Sequence, residues 1–477
     1  MGIKGFHKFI REKYPSCLQH KWSDSYEHCY IDINFALHFC SYNVSNVDQL
    51  YMKLFGFFDN ILKDIVPTKS LTIAADGAAP LSKLLLQRKR RLTNLKKISK
   101  KTTDDSDSDA GSQAVTSLMF TPGTLFMKNL KENMSAYMEY ISKSYGIDVE
   151  FMDINFDEAE LKLKYAMMEN INKYDNDSHI IVTNDADVIV MLGTLEKFHN
   201  AYVHCKSNHQ NEVLSIGKLL ECHTNYVGCS LHPGLDFAAT GILLGNDYIP
   251  KLNFISPESI WIAYKSTLKG HTTGLILDRN MKINRTFFAG LMGNIVTMLK
   301  SQYVKKLNYR NVCHPLYRNY LDGYTWCLAT YNNGKCQRYN YMYEFSDYPH
   351  PLGLLLNVRQ FPDITKHDNQ IYKCIRPELY AILVLPKSSL KLIPKKYAEM
   401  SQHTEILYDE EFCHKCNKFN DDNKKLTKEL SDDPDNKKLK KQINELKKNK
   451  STHRKQHSNI CLDDIEDIIE KTKYVFK

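Results

Sequence analysis

Short apolar runs alternate with helical patterns along the first half of the chain. Three of these runs are strand-like and end beside a carboxylate: His28–Ile33, Ser70–Ala75 and His179–Thr183. Strands that alternate with helices predict a mostly parallel sheet flanked by helices, and such sheets bind ligands beyond the carboxyl ends of their strands. The pattern therefore predicts an α/β fold whose functional side chains follow the strands.

The pattern changes after Pro250, where helical stretches replace the strand alternation. Within the first region, the Asp/Ser-rich stretch 100–117 has no periodicity and is predicted to be a disordered acidic loop. We predict four segments: an α/β core (1–255), a largely helical region (256–412), a basic Lys-rich insertion (413–458) and a C-terminal helix (459–477).

Composition excludes several classes of protein. Of 477 residues, 43% are hydrophobic and 25% are charged, which is typical of a folded soluble chain. No run of about 18 uncharged apolar residues appears, and the charged N-terminus does not resemble a signal peptide. The 13 cysteines are scattered among apolar neighbours, as buried reduced thiols are. We expect an intracellular monomer, in the cytoplasm rather than the nucleus, without membrane association.

The net charge of +9 is unevenly distributed. The stretch 77–103 contains nine Lys or Arg and no acid, and 421–457 contains twelve against seven acids. A concentrated basic patch usually indicates a phosphate-bearing partner.

Acidic residues also cluster, at or near the ends of apolar runs. Carboxylates gathered in one place repel each other unless hard divalent cations neutralise them. Two Mg²⁺ ions, with Mn²⁺ as an alternative, could activate water for phosphodiester cleavage. The candidate set predicts a metal-dependent nuclease and comprises Asp32, Asp76, Glu158, Glu160, Asp185, Asp187 and Asp247.

Each candidate also has a plain structural interpretation. Asp185 could cap a helix, with Asp187 in the favourable first turn. Glu158 and Glu160 are two residues apart, so on a regular helix they would not converge, and only an irregular helix entry would bring them together. Asp247 could be a turn residue.

One predicted helix carries a candidate phosphate pocket. Lys83, Gln87, Arg90 and Arg91 follow the strand-end Asp76 at helical spacing and share one face. Arginine forks and a lysine suit a terminal phosphate. The alternatives are a solvated basic face and, for the RKRR run, a nuclear import signal.

Taken together and in order, these motifs resemble those of the XRN family of 5′→3′ exoribonucleases. The resemblance runs from Met1 to about Tyr397 and is strongest in MGIKGFHKFIREKYP, YIDINFALHFCS, DGAAPLSKLLLQRKRRL, FTPGTLFMKNL, DEAELK, TNDADVIVM and LLGNDYIPKL. It implies a PIN/flap-nuclease-like α/β fold with a largely helical second region. A Lys-, Asn-, Ile- and Tyr-heavy composition is typical of an AT-rich genome, and we keep a compact viral member as a hypothesis.

The resemblance also assigns roles. It makes the seven carboxylates the catalytic, metal-binding set and the four α-helical residues the pocket for a 5′-monophosphate. His38 would stack on a leading base, although a core histidine is the plainer interpretation. It implies degradation of 5′-monophosphorylated single-stranded RNA to mononucleotides, with the decapping machinery as a candidate partner.

Two departures and two alternative functions remain. Ala159 and Leu161 replace the family's usual Gly and His in the glutamate motif, which leaves the acids intact. A flap endonuclease-like DNA nuclease shares the carboxylate pattern, but the Gly-rich hairpin expected after Asp247 is missing. An inactive nucleic-acid-binding scaffold is the second alternative, and the presence of all seven acids counts against it.

A zinc clip is a further hypothesis, and its four residues would be Cys413, Cys416, His453 and His457.

Overall fold

The computed structural model describes the chain in twelve stretches. These are residues 2–3, 5–104, 115–206, 211–271, 273–299, 315–343, 345, 347–360, 373–398, 414–433, 436–454 and 468–469.

A seven-stranded mixed sheet forms the centre of the fold, in the order β1-β7-β6-β5-β2-β3-β4. Four consecutive pairings, β6-β5, β5-β2, β2-β3 and β3-β4, are parallel, and β7 pairs antiparallel with β6 and β1. This confirms the predicted mostly parallel α/β sheet. The strands are β1 (Leu18–Gln19), β2 (Tyr26–Asp32), β3 (Pro67–Ala74), β4 (Asp148–Met152), β5 (His179–Val182), β6 (Ala201–Lys206) and β7 (Asn211–Ser215).

Helices cover both faces of the sheet and continue after it. The first nine are α1 (Phe6–Lys13), α2 (Ile33–Cys40), α3 (Val47–Ile65), α4 (Leu81–Asp104), α5 (Leu125–Tyr145), α6 (Ala159–Lys173), α7 (Ala186–Leu192), α8 (Ile216–Val227) and α9 (Pro233–Ile242). The later ones are α10 (Pro257–Leu268), α11 (Arg285–Met298), α12 (Pro315–Asn333), α13 (Pro351–Gln360), α14 (Pro377–Val384), α15 (Lys395–Ala398), α16 (His414–Asp432) and α17 (Lys437–Arg454). Short 3₁₀ helices span Pro15–Cys17, Ser117–Phe120 and Lys387–Leu392.

The two faces of the sheet belong to two separate hydrophobic cores. Neighbouring residues of one strand point to opposite faces, so Tyr30 packs into one core and Ile31 into the other. The core around Tyr30 also contains α1 and α6 to α13, whereas the core around Ile31 contains α2, α3 and α5. Strands buried on both faces explain why the runs in the sequence are continuously apolar.

A third core joins the basic helix α4 to the second half of the chain. Leu81 and Leu84 of α4 pack with Leu383 of α14, and all three are buried. The Arg88 guanidinium donates to the Leu383 carbonyl oxygen at 3.0 Å. The helical second region therefore fixes the rotation of α4, which decides which of its basic residues face the sheet.

Some predicted segments fall partly outside the described stretches. Helix α4 continues to Asp104 and a 3₁₀ helix begins at Ser117, so both edges of the predicted loop 100–117 have helical backbone, while 105–114 lie outside. The predicted C-terminal helix 459–477 also lies outside, except for 468–469. In the described part of the chain, no helix combines the length and apolar character needed to cross a membrane.

Candidate active site

Asp32 and Asp76 follow two neighbouring parallel strands. Asp32 ends β2 and caps α2, because its Oδ1 accepts hydrogen bonds from the amides of Asn34 at 2.9 Å and Phe35 at 3.1 Å. Asp76 lies two residues beyond β3, and its Oδ1 accepts from the Ala159 amide at 3.0 Å. Asp76 thus reaches the first turn of α6, where the two glutamates lie.

Glu158 and Glu160 converge because the helix entry is irregular, as the sequence required. Glu158 is the N-cap of α6, with an extended backbone (φ −78°, ψ 156°), and Glu160 is the second helical residue. Oxygens of both carboxylates approach the Lys83 ammonium, that of Glu160 at 3.7 Å and that of Glu158 closer. The rule that residues two apart diverge holds within a helix and not across its N-cap.

Asp185 and Asp187 lie at the start of α7, next to the end of β5. Asp185 caps α7 by accepting from the Asp187 amide at 3.0 Å, so the plain capping interpretation is also correct. Asp187 is buried, and its Oδ1 accepts from the Ile3 amide at 2.9 Å. The N-terminal segment is close enough that a Cβ on Gly2 would lie 2.2 Å from Asp185 Oδ1. Only glycine fits this position.

Asp247 reaches the same region from the loop after α9. Its neighbour Asn246 makes the turn, accepting from the amides of Tyr248 at 2.9 Å and Ile249 at 3.0 Å. Asp247 is therefore free of the turn role and pairs with Arg90, whose two guanidinium nitrogens lie 2.9 and 2.8 Å from its two oxygens.

The predicted basic face of α4 divides between two sets of partners. Lys83, whose side chain is 7% exposed, contacts Glu158, Glu160 and, at 3.3 Å, Asp247, and Arg90 is forked onto Asp247. Gln87 lies one helical turn after Lys83, and Arg91 lies two turns after it. The Arg91 guanidinium donates to the Gln87 side-chain oxygen and, at 3.1 Å, to the Thr121 hydroxyl. The structure therefore brings Lys83 and Arg90 against the carboxylates, whereas Gln87 and Arg91 contact each other and Thr121.

His38 lies on α2 beside this helix. Its ring makes an edge-on contact with Phe120, with 5.2 Å between centroids. Burial and the nearby Arg91 charge lower the pKa of His38 to about 4, so the ring is neutral at physiological pH. A neutral, half-buried ring next to the phosphate-pocket candidates is compatible with the stacking role and with the core interpretation.

The carboxylates are electrostatically crowded. Burial, followed by the charges of Asp76 and Asp185, raises the pKa of Asp32 to about 8. Burial and like charges also raise the pKa of Glu160 and Asp187 well above their ordinary values. Asp247 is the exception: although burial opposes it, Lys83 and Arg90 lower its pKa to about 2.

This donor set fits a hard divalent cation. All seven candidates supply carboxylate oxygens, the ligands that Mg²⁺ and Mn²⁺ prefer. Burial and neighbouring negative charges raise the pKa of Asp32, Glu160 and Asp187, and a bound cation would offset both effects. Across the described stretches, no three His, Cys, Asp or Glu side chains already close around one point. The Lys83 ammonium instead supplies positive charge between Glu158, Glu160 and Asp247.

Several supporting groups were not predicted from the sequence. The Tyr248 hydroxyl donates to Glu158 at 2.5 Å. The side-chain oxygen of Asn34 accepts from the Asp76 amide at 2.9 Å, and its nitrogen donates to the Phe120 carbonyl oxygen. Their positions beside candidate acids, in the runs IDIN and GNDY, are the signal that could have found them.

The N-terminal part of the chain matches a protein-family model. Residues 1–204 match the N-terminal domain of XRN 5′-3′ exonucleases. This stretch of the chain is therefore similar to an XRN N-terminal domain. The resemblance seen in the sequence motifs is thus confirmed, and six of the seven candidate acids lie within the XRN domain.

Similar proteins support the same family. The chain is 27% identical to 5′-3′ exoribonuclease 1 of Schizosaccharomyces pombe over 215 residues, which are 41% of this chain and 16% of that protein. It is 30% identical over 151 residues to the Saccharomyces cerevisiae protein of the same name, covering 29% of this chain and 10% of that one. The chain therefore spans a small part of these relatives' length.

Solved structures also match over most of the chain, at low similarity. The catalytic core of Rad2 in complex with DNA substrate has a TM-score of 0.35 and 14% identity, covering 79% of this chain and 91% of that one. Human GEN1 in complex with Holliday junction DNA has a TM-score of 0.35 and 13% identity, covering 85% and 80%.

The zinc-clip residues cannot be placed. Cys413 and His457 lie outside the described residues, as do the side chains of Cys416 and His453. The clip stays a prediction from the sequence.

Proposed function

We propose that this protein is a metal-dependent 5′→3′ exoribonuclease of the XRN family. Its substrate would be 5′-monophosphorylated single-stranded RNA, released as mononucleotides in cytoplasmic RNA decay, where decapping would supply the substrate. The observation that carries the proposal is the contact between the carboxylate group and the basic face of one helix, α4. A group of carboxylates alone is compatible with many hydrolases, whereas basic side chains beside the carboxylates could also bind a terminal phosphate.

The seven carboxylates are the residues that would hold Mg²⁺. Bound there, the metal would lower the pKa of a water molecule and stabilise charge on the cleaved phosphodiester. The chain's own groups fix the carboxylates: backbone amides at the starts of α2, α6 and α7 orient Asp32, Asp76 and Asp185, and the Tyr248 hydroxyl orients Glu158. Such fixed orientation is what a preorganised site requires.

The α4 residues would receive the 5′ end. A terminal phosphate carries more negative charge than an internal diester, and Arg90 and Arg91 can each form a fork with its oxygens. Lys83 at present shares its charge among three carboxylates. A phosphate at this face would compete for that lysine, and His38 could stack on the first base.

The direct test compares three substrates in Mg²⁺: a 5′-monophosphorylated RNA, the same RNA with a 5′-triphosphate, and a flap DNA. The control is the double variant Asp185→Ala/Asp187→Ala. We expect the wild type to degrade only the monophosphorylated RNA, from its 5′ end, and the control to degrade none.

The other outcomes separate the alternatives. Equal decay of both RNAs would remove the phosphate-pocket assignment of α4. Preferred cleavage of the flap DNA would favour the hypothesis of a flap endonuclease-like DNA nuclease. Persistence of all three substrates, with retained RNA binding, would favour an inactive scaffold.

A further inference from the structure

Helices α16 and α17 form a helical hairpin near the end of the described part of the chain. The two helices pack against each other, and among the described residues no hairpin side chain belongs to any of the three hydrophobic cores. Asn436 starts α17 by accepting from the amides of Lys438 and Leu439, both at 3.1 Å. The start of α17 is therefore fixed by specific hydrogen bonds.

The second helix of the hairpin is amphipathic. Leu439, Ile443 and Leu446 follow the helical spacing of one face, and Ile443 is 6% exposed although it lies outside the main cores. At 100° per residue, the exposed lysines of α17 occupy the opposite face. We call this the α17 lysine face; it comprises Lys437, Lys438, Lys440, Lys441, Lys447 and Lys448.

Helix α17 carries a strong excess of positive charge. Helix α17 contains a single acid, Glu445, whereas α16 has nearly balanced charge. For Lys437, Lys438, Lys440, Lys441 and Lys447, no carboxylate among the described residues lies within 4.0 Å of the ammonium. Six lysines along about 16 Å of helix repel one another, so an anionic partner would stabilise them.

We propose that the α17 lysine face binds the phosphate backbone of single-stranded RNA outside the nuclease site. The choice of RNA rests on the proposed function, and the binding itself on charge complementarity and on the exposure of these lysines along one helix. Contacts from lysine to phosphate carry no base sequence information, so the binding we propose would be independent of RNA sequence. Its role would be to retain long RNA during successive cleavages.

The test compares two triple variants of equal charge in the same hairpin. Lys440→Gln/Lys441→Gln/Lys447→Gln alters the α17 lysine face, and Lys418→Gln/Lys425→Gln/Lys428→Gln alters the exposed lysines of α16. Both are made in the full chain carrying Asp185→Ala/Asp187→Ala. Binding to a fluorescent 30-nucleotide RNA is measured in EDTA from 0.05 to 0.5 M salt, so the result does not depend on cleavage.

If three phosphate contacts are lost, the slope of log affinity against log salt becomes shallower by about 2, and affinity at 0.1 M salt falls by roughly tenfold or more. We expect this for the α17 variant and a smaller change for the α16 variant, with unchanged circular dichroism for both. Equal effects of the two variants would overturn the proposal, because net charge alone would then explain binding. Binding of polyglutamate with the same dependence on the α17 lysines would overturn RNA as the partner.

Discussion

Replacing Asp32 by Asn is expected to stabilise the metal-free protein. Asp32 has two roles, as a charge in a crowded group of acids and as the N-cap of α2. Asparagine keeps an oxygen that can accept from the Asn34 and Phe35 amides, and asparagine and aspartate are about equally good N-caps. The substitution therefore removes the charge and leaves the cap.

The magnitude follows from the raised pKa. The folded-state pKa of Asp32 is about 8, against an ordinary 3.8, so above pH 4 the unfolded chain releases a proton that the folded protein retains. Wild-type stability consequently falls as pH rises from about 4 to about 8. At pH 7.5 this pKa difference corresponds to at most about 5 kcal/mol. Because Asp76 and Asp185 continue to repel other acids after the substitution, we expect a gain of about 1–3 kcal/mol.

The assay is urea unfolding in EDTA, followed by the fluorescence of the three tryptophans, at several pH values between 5 and 8. The gain should be largest at pH 8 and smallest at pH 5. The matched control is Asp148→Asn, an exposed acid at the start of β4, which should change stability little at any pH. In Mg²⁺ the stability difference between the variant and the wild type should shrink or change sign, because bound metal would stabilise the wild type more.

Two results would refute this reasoning. One is a variant no more stable than the wild type at pH 8 in EDTA. The other is a gain that stays constant with pH, because the cost of a buried charge among other acids must disappear when Asp32 is protonated.

The remaining predictions concern groups that support the carboxylates. Lys83→Met should destabilise the metal-free protein by about 3–5 kcal/mol at pH 7.5, because it leaves buried carboxylates without their cation; urea unfolding checks this, and an unchanged midpoint would contradict the pairing. Gly2→Ala should lower the free energy of unfolding by about 1–3 kcal/mol and remove most of the proposed nuclease activity, because its Cβ would overlap the acids at the start of α7. Gly5→Ala, also at positive φ but with open space around the Cβ, is its control in thermal unfolding and RNA decay, and equal losses would implicate backbone strain alone. Tyr248→Phe should cost about 1–3 kcal/mol by removing the hydrogen bond to Glu158, measured by unfolding at pH 7.5, and a neutral effect would show that the hydroxyl is not needed.

Parts of the site could be predicted from local sequence because they depend on local geometry. The strand before Asp32 and the strand before Asp185 were both recognisable as apolar runs, and parallel strands place their carboxyl ends at one edge. The α4 face was predictable from helical spacing. The need for an irregular entry at Glu158 was also deduced from spacing, and the N-cap geometry confirms it.

The partners of these residues depended on the tertiary structure. No spacing rule indicates that Lys83 meets acids 75 to 164 residues away along the chain, or that Ile3 donates to Asp187. Those contacts follow from the sheet order and from the third core, which sets the rotation of α4. The sequence by itself determined which side chains can bind a metal or a phosphate, because that chemistry belongs to residue type. Tertiary structure alone decided which charges face each other, because burial and distance set their interaction energies.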